Sequence, residues 1–298
     1  MTSLEGTTVR PLPTRGRRAP GSRVFLPAVA RRFLEADGTS HVRALAYQTM
    51  FVVLSGFVGS VGLSSLLDLP ELRGVVEELG RSLSPGPAGR LIRQAAGQGA
   101  SGGTSAAVFG LGAALSAGTL AMAQIERSAN RLAGSDEDRS AVRRYVVAFL
   151  LAASVGLLLA AAGLVLGAGH AVATGFGWVD GIGTVWSVLR WPIGVVAVTA
   201  AVMLLYRAAP RRRLRPRRAI LGGSLVAVAL WVTFTGLLSL YFSIQTSSPY
   251  RSLLSIVALL LWSMLTSLAL HLGMATACEI AGAPPPARAI PDGASQDG

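Results

Sequence analysis

The sequence predicts an all-α, polytopic membrane protein with six transmembrane helices, an amphipathic helical outer segment between spans 1 and 2, and both termini in the cytoplasm. Three observations carry this reading. The 298 residues are 51% hydrophobic and only 14% charged, with a mean hydropathy of +0.53, whereas soluble domains keep about a quarter of their residues charged. The charge is segregated, leaving uncharged apolar runs long enough to cross a bilayer. The basic residues also crowd into alternate loops. All 27 are arginine, against 15 acids, for a net charge of +12. Cys278 is the only cysteine, which excludes an intrachain disulfide and CxxC chemistry.

Residues 1–41 are rich in proline, glycine and arginine (PLPTRGRRAPGSR) and are expected to form a disordered basic cytoplasmic tail. Arg17-Arg18 is not read as part of a twin-arginine signal. The first apolar run starts about twenty-five residues later, is too long for a signal core and lacks a cleavage site.

A transmembrane domain is expected over 42–276, with apolar segments at 44–67, 104–125, 145–168, 191–206, 219–244 and 252–275. Crossing about 30 Å takes about 20 residues. Five segments meet that length. The fourth is short; Trp191-Pro192 suits a helix start, and VWSVLR (185–190) extends it. Residues 277–298 are expected to be a second disordered cytoplasmic tail.

Orientation follows from counting arginines. With the N-terminus inside, inner segments hold eight (1–43), five (126–144), seven (207–218) and one (276–298), 21 against six in the outer segments. Short arginine-rich loops stay cytoplasmic. RAAPRRRLRPRR (207–218) is therefore chiefly an orientation signal. Arg211, Arg212, Arg213, Arg215, Arg217 and Arg218 are also candidate contacts for anionic lipid, at about 1 kcal/mol each. A nucleic-acid grip is rejected, because this short pinned loop has no aromatic residues on which bases could stack.

The outer segment, 68–103, opens with PELRGVVEELGRSL, which puts Leu72, Val75, Val76, Leu79 and Leu83 on one helical face, with Asp68 near its cap and Pro70 in its first turn. A patch at Leu91-Ile92 and Ala95-Ala96 and a flexible GQGASGG follow. The segment is read as a helix lying on the bundle, or as a lid over an outward-facing cavity.

Small residues recur every fourth position at Ala106, Gly110, Ala114 and Gly118, again at Ala152, Gly156 and Ala160, and as the pairs Ser55–Gly59 and Gly56–Ser60. Such faces let helix backbones approach closely. They serve tight packing within one chain or contact with an envelope partner or a second copy. Trp178, Trp186 and Trp191 fall at the outer interface, and Tyr145 and Tyr206 at the inner one. Trp231 and Trp262 lie deeper and call for packing or a cavity.

No charge lies at mid-membrane, and His271 is the only ionisable group within a span. A histidine there more often bonds a backbone carbonyl or snorkels than relays protons. Uncharged polar groups include Thr233, Thr235, Ser263, Thr266 and Ser267. Tyr47, Gln48, Gln124, Ser239, Trp262 and His271 are the candidate cavity or ligand contacts. Catalytic, cofactor and metal sites are not expected. HxH, HExxH and P-loop patterns are absent from the sequence, and no acidic pair is placed to clamp two metals.

The stretches LLYRAAP (204–210), LGGSLVAVALW (221–231), YRSLLSIVALLLW (250–262) and LHLG (270–273), with ALAYQT (44–49) and the NRL of QIERSANRL (124–132), resemble the YihY/virulence factor BrkB family of bacterial inner-membrane proteins. The likeness covers nearly all of residues 40–280. It implies six spans with helical outer segments. An old ribonuclease BN label carried by some members has no chemistry in these residues. The family pattern has a proline near Ser55, a glycine after the tyrosine, where Arg251 stands here, and a glutamate near Ala275. This chain lacks all three, so a mechanism resting on that carboxylate does not carry over.

Two functions from different classes follow as expectations. One is transport or handling of a lipid or other amphiphile by a protein that is not an enzyme and has no ATPase of its own. The other is an envelope scaffold that transports nothing. Membrane lipids are the expected partners, and nucleic acid is not.

Overall fold

The computed structural model describes residues 22–68, 88–135, 140–175, 181–211, 214–244 and 251–286. Among these residues every regular element is a helix: α1 (Ser22–Glu35), α2 (Gly38–Leu66), α3 (Ala88–Leu132), α4 (Ala141–Gly175), α5 (Gly181–Ala208), α6 (Arg217–Ile244) and α7 (Arg251–Ile280). Stretches of five are long and apolar enough to cross a membrane: Gly38–Leu66, Gly97–Leu132, Ala141–Leu158, Arg217–Phe242 and Leu254–Ile280. Pro192–Ala208 is a shorter apolar helix. At 1.5 Å per residue α2 alone reaches about 43 Å, more than a hydrocarbon core needs.

The expected N-terminal tail is corrected by α1. Phe25, Val29 and Phe33 recur every fourth residue, and the last two are buried against the bundle. The proline and arginine content of 1–41 hid that stripe. Asp37 then takes a left-handed conformation (φ 55°), accepts a hydrogen bond from Ser40 Oγ at 2.8 Å, and turns the chain into α2. Gly38 follows because a Cβ there would strike the Phe33 ring. Residues 1–21 lie outside the described residues. The expected C-terminal tail is corrected likewise: α7 continues to Ile280, and residues 281–286 pack back on α1. GQGASGG, expected as a flexible linker, lies within α3. Gly99 lets that arm press on α2, where a Cβ would lie 2.6 Å from the Val58 carbonyl oxygen. The chain bends at Gly103, with φ 49°. The predicted helix over 70–83 is outside the described residues.

The closest helix pair is α2 with α3. A Cβ on Gly59 would lie 2.5 Å from the Leu111 amide nitrogen, and one on Gly110 would strike the Gly59 backbone. The small-residue faces of these two helices are thus used within the chain. Beyond this pair, α3 packs on α4, α4 on α5, α5 on α6 and α6 on α7, and α7 closes back on α2 and α3. The densest core gathers at one end, where α1, the last turns of α3 and α5, the first turns of α2 and α6, and the last turns of α7 meet. This is also the end at which Arg211, Arg215, Arg217 and Arg218 stand exposed. A second cluster lies further along the bundle, where Leu238, Phe242, Ala258, Leu259 and Trp262 pack with Trp231. Packing therefore accounts for both deep tryptophans. Tyr206, expected at an interface, is fully buried, because its hydroxyl donates to the Leu270 carbonyl across to α7 at 2.5 Å.

Candidate functional site: a buried polar seam along the last helix

Helix α7 carries Ser255, Ser263, Ser267, His271 and Glu279 at multiples of four residues, with Leu259 and Ala275 filling the gaps. Side chains four residues apart are neighbours on a helix, and such a row winds slowly round it, so successive members meet different neighbouring helices. The row is turned inward, because α7 is the helix on which α1, α2, α3 and α6 all pack. Ser255 is 2% exposed, Ser263 and Ser267 are 0%, and His271 is 3%. Ser267 Oγ donates back to the Ser263 carbonyl at 2.8 Å, and His271 Nδ1 to the Ser267 carbonyl at 2.7 Å. The histidine thus bonds a carbonyl, as its position suggested.

Other helices meet the seam at three levels. At the far end Arg90 Nε, on the α3 arm, donates to Ser255 Oγ at 3.2 Å. Near the arginine-rich end His41 of α2 stacks parallel to His271, with ring centroids 6.4 Å apart. Gln124 Nε2 of α3 lies 2.7 Å from His41 Nδ1, and Gln124 Oε1 accepts from Arg127 Nη2 at 2.7 Å. At the last level Arg32 Nε of α1 donates to Glu279 Oε1 at 2.6 Å. The same guanidinium bonds the carbonyls of Leu132, Ala283 and Pro284 at 2.7–2.8 Å. It is 4% exposed. A planar five-donor fork is suited to satisfying four acceptors at once, and the Leu132 carbonyl ends α3, where helices leave their acceptors unpaired. Arg31, Arg32, Glu35 and Glu279 border a cavity of about 210 Å³ beside this clasp.

Several buried atoms have no hydrogen-bond partner among the described residues: Ser263 Oγ and Nε2 of both His41 and His271 in the seam, and Gln48 Oε1 and Thr266 Oγ1 on the same two helices. Each such group costs about 1–3 kcal/mol when left unmade. A polar seam that keeps unmade bonds is poor as pure architecture, so these atoms mark the candidate site.

Of the residues singled out from sequence, Gln124 and His271 are brought together through His41. Gln48 lies on α2 seven residues after His41, half-buried. Trp262 is buried beside Ser263, and its Nε1 donates to Thr235 Oγ1 at 3.2 Å. Tyr47, at 55% exposure, and Ser239 point away from the seam; both stand on the outside of the bundle. Arg211, Arg215, Arg217 and Arg218 are exposed, while Arg212 and Arg213 lie outside the described residues. Residues 69–87 of the outer segment, read as a candidate lid, also lie outside the described residues. Sequence reasoning missed His41 and Arg32, which it assigned to a tail. It also missed the structural part of Asn130, whose Oδ1 accepts from the Arg211 amide at 2.8 Å and so holds the start of the arginine-rich loop.

Apolar helices closed around a polar seam define a multi-pass α-helical membrane protein. Within that class the chain belongs to the family described as Virulence factor BrkB, whose family model matches residues 29–293. Neither the curated proteins nor the solved structures hold a significant match to it. The stretches that carried the resemblance converge in space. Tyr206 of LLYRAAP bonds Leu270 of LHLG, and Gly223 of LGGSLVAVALW faces Gly273 so closely that a Cβ on it would lie 2.5 Å from the Gly273 carbonyl oxygen.

Proposed function

We propose that this protein is a six-span protein of the bacterial inner membrane, N-in and C-in, that moves or handles a lipid or other amphiphile without an ATPase of its own. The observation that carries the reading is the seam on α7. It carries serines and a histidine but no charge through its middle, it keeps an unpartnered oxygen at Ser263, and Thr266 on the same helix and Gln48 on α2 keep one each. Hydroxyl and amide groups of that kind suit a neutral or zwitterionic headgroup, whereas an ion would need a compensating charge. The exposed arginines at one end match the expected cytoplasmic face, where they would hold acidic headgroups near the entrance.

The test is reconstitution into vesicles with a panel of fluorescent phospholipids and other amphiphiles. Transfer or binding of at least one is expected, with a several-fold loss in Ser263→Val and Gln48→Leu. No activity across the panel sinks the proposal. The competing class, an envelope scaffold, predicts that both substitutions leave the cellular phenotype intact. The α2 and α3 small-residue faces that a scaffold would offer are already filled within the chain, which favours the transport reading.

A further inference from the structure

The two histidines of the seam differ in a way that their bonds decide. Arg127 can only donate, so the Gln124 atom it meets is the amide oxygen, and the amide nitrogen is left to face His41. That nitrogen donates to His41 Nδ1, and the neutral ring must then carry its proton on Nε2. On α7 the Ser267 carbonyl can only accept, so His271 Nδ1 carries the proton and His271 Nε2 is bare. One ring therefore offers an unused donor and the other an unused acceptor. Both rings are more than nine-tenths buried, and neither Nε2 has a partner among the described residues.

The rings are too far apart to satisfy each other. A ring nitrogen lies about 1.2 Å from its centroid, so centroids 6.4 Å apart hold the two Nε2 atoms at least about 4 Å apart. That exceeds a direct hydrogen bond, so the two atoms can be joined only through a bridging molecule. A cavity of about 10 Å³ opens on the His271 side of the pair, lined by Ser128, Tyr206 and His271 among apolar groups but not by His41, and it has room for about one water.

We propose that His41 and His271 form a single proton-binding site, in which one water bridges the two ε nitrogens and one added proton is held between the rings. At rest His41 Nε2–H donates to the water oxygen, and the water donates to His271 Nε2. A hydronium arriving from solvent gives its proton to the His271 Nε2 lone pair and leaves as water. His271 is then an imidazolium whose Nδ1–H still meets the Ser267 carbonyl. The bridging water turns to accept from both Nε2–H groups.

The surrounding charges limit the site to one proton. Asp37 stands on the α1–α2 turn, and Arg127 and Arg131 come from α3, where Glu126 is buried beside them; Arg43 on α2 is exposed. The charges of α7 itself, Arg251 and Glu279, are twenty and eight residues from His271, and α5 offers only the neutral phenol of Tyr206. A second imidazolium would meet the first as well as Arg127 and Arg131, against Asp37. The proposal does not depend on lipid transport, and it would supply such transport with a proton to couple to.

The test uses the full chain with His170→Asn, labelled with 15N-histidine and held in lipid nanodiscs, so that only these two rings report. At neutral pH the nitrogen shifts are expected to show one ring protonated at Nε2 and the other at Nδ1. On acidification one proton is taken up per chain, and both rings respond over the same pH interval. Matching tautomers, uptake of two protons, or two unrelated titrations would each overturn the site. Gln124→Leu is expected to remove the tautomer preference of His41 and leave that of His271. A shift pattern in which neither ring responds to that substitution rejects the assignment equally.

Discussion

Arg32 and Glu279 lie 247 positions apart in the chain and meet at 2.6 Å, the guanidinium 4% exposed and the carboxylate side chain 17%. Removing one member of such a pair costs more than the pair contributes, because its partner stays buried and uncompensated. Arg32→Ala is expected to destabilise the protein by roughly 2–4 kcal/mol, read as a lowered thermal midpoint in detergent. Arg32→Lys should recover little of this, since an ammonium cannot reach four acceptors spread in a plane. Glu279→Gln should be milder, because three carbonyls still hold the guanidinium.

The α2–α3 contact gives a paired prediction on glycines. Gly59→Ala pushes a methyl group into the Leu111 backbone and should cost about 1–3 kcal/mol by overpacking. Gly112→Ala, on the same helix pair but facing open space, should be neutral or stabilising by about 0.5–1 kcal/mol through helix propensity. Unfolding titrations of both variants in mixed micelles check the contrast. Equal effects would remove the close approach from the account.

Asn130 is expected to act only through its oxygen. Asn130→Ala frees the Arg211 amide and should make the loop at 207–218 a faster trypsin target, at a cost of about 1–2 kcal/mol. Asn130→Asp keeps an acceptor in place and should leave cleavage close to that of the unaltered chain. A loop equally resistant in both variants would show that something else holds it.

The arginine-rich loop is tested by changing charge and shape separately. With Arg211, Arg212, Arg213, Arg215, Arg217 and Arg218 replaced by glutamine, most molecules should still insert correctly, since the other inner segments keep 14 arginines. A minority should thread wrongly around α5 and α6. Lysine at all six positions should restore insertion, because the rule reads charge. Cysteine labelling on a Cys278→Ser background reads both outcomes. If lysine restores insertion but not function, the loop grips phosphate with guanidinium forks and becomes a headgroup site.

The spans were legible because lipid demands long uncharged runs, and that demand is written residue by residue. Gln124 and His271 were legible for the converse reason, as polar groups inside apolar runs. Which face of a span turns inward was not, since a helix apolar on all sides has no periodicity to read. Tyr47 and Ser239 therefore stood on equal terms with Gln48 and Trp262. The four-residue rhythm of Ser255, Ser263, Ser267 and His271 was present in the sequence, and it was the usable signal for the seam. Arg32 and His41 offered none: their partners come from α3 and α7, and the basic, proline-rich composition around them argued for a tail.

The clasp made by Arg32 also sets an order in time. A ribosome makes α1 first, yet the carbonyls and carboxylate that satisfy its guanidinium belong to Leu132, Glu279, Ala283 and Pro284. Until α7 is made, that arginine has only the Leu132 carbonyl among its four acceptors, and α1 has only part of its seat. A chain that stops short of α7 lacks the helix on which α1 packs most, along with three of the four partners of Arg32. The seating of α1 thus reports that α3 and α7 have both reached their places.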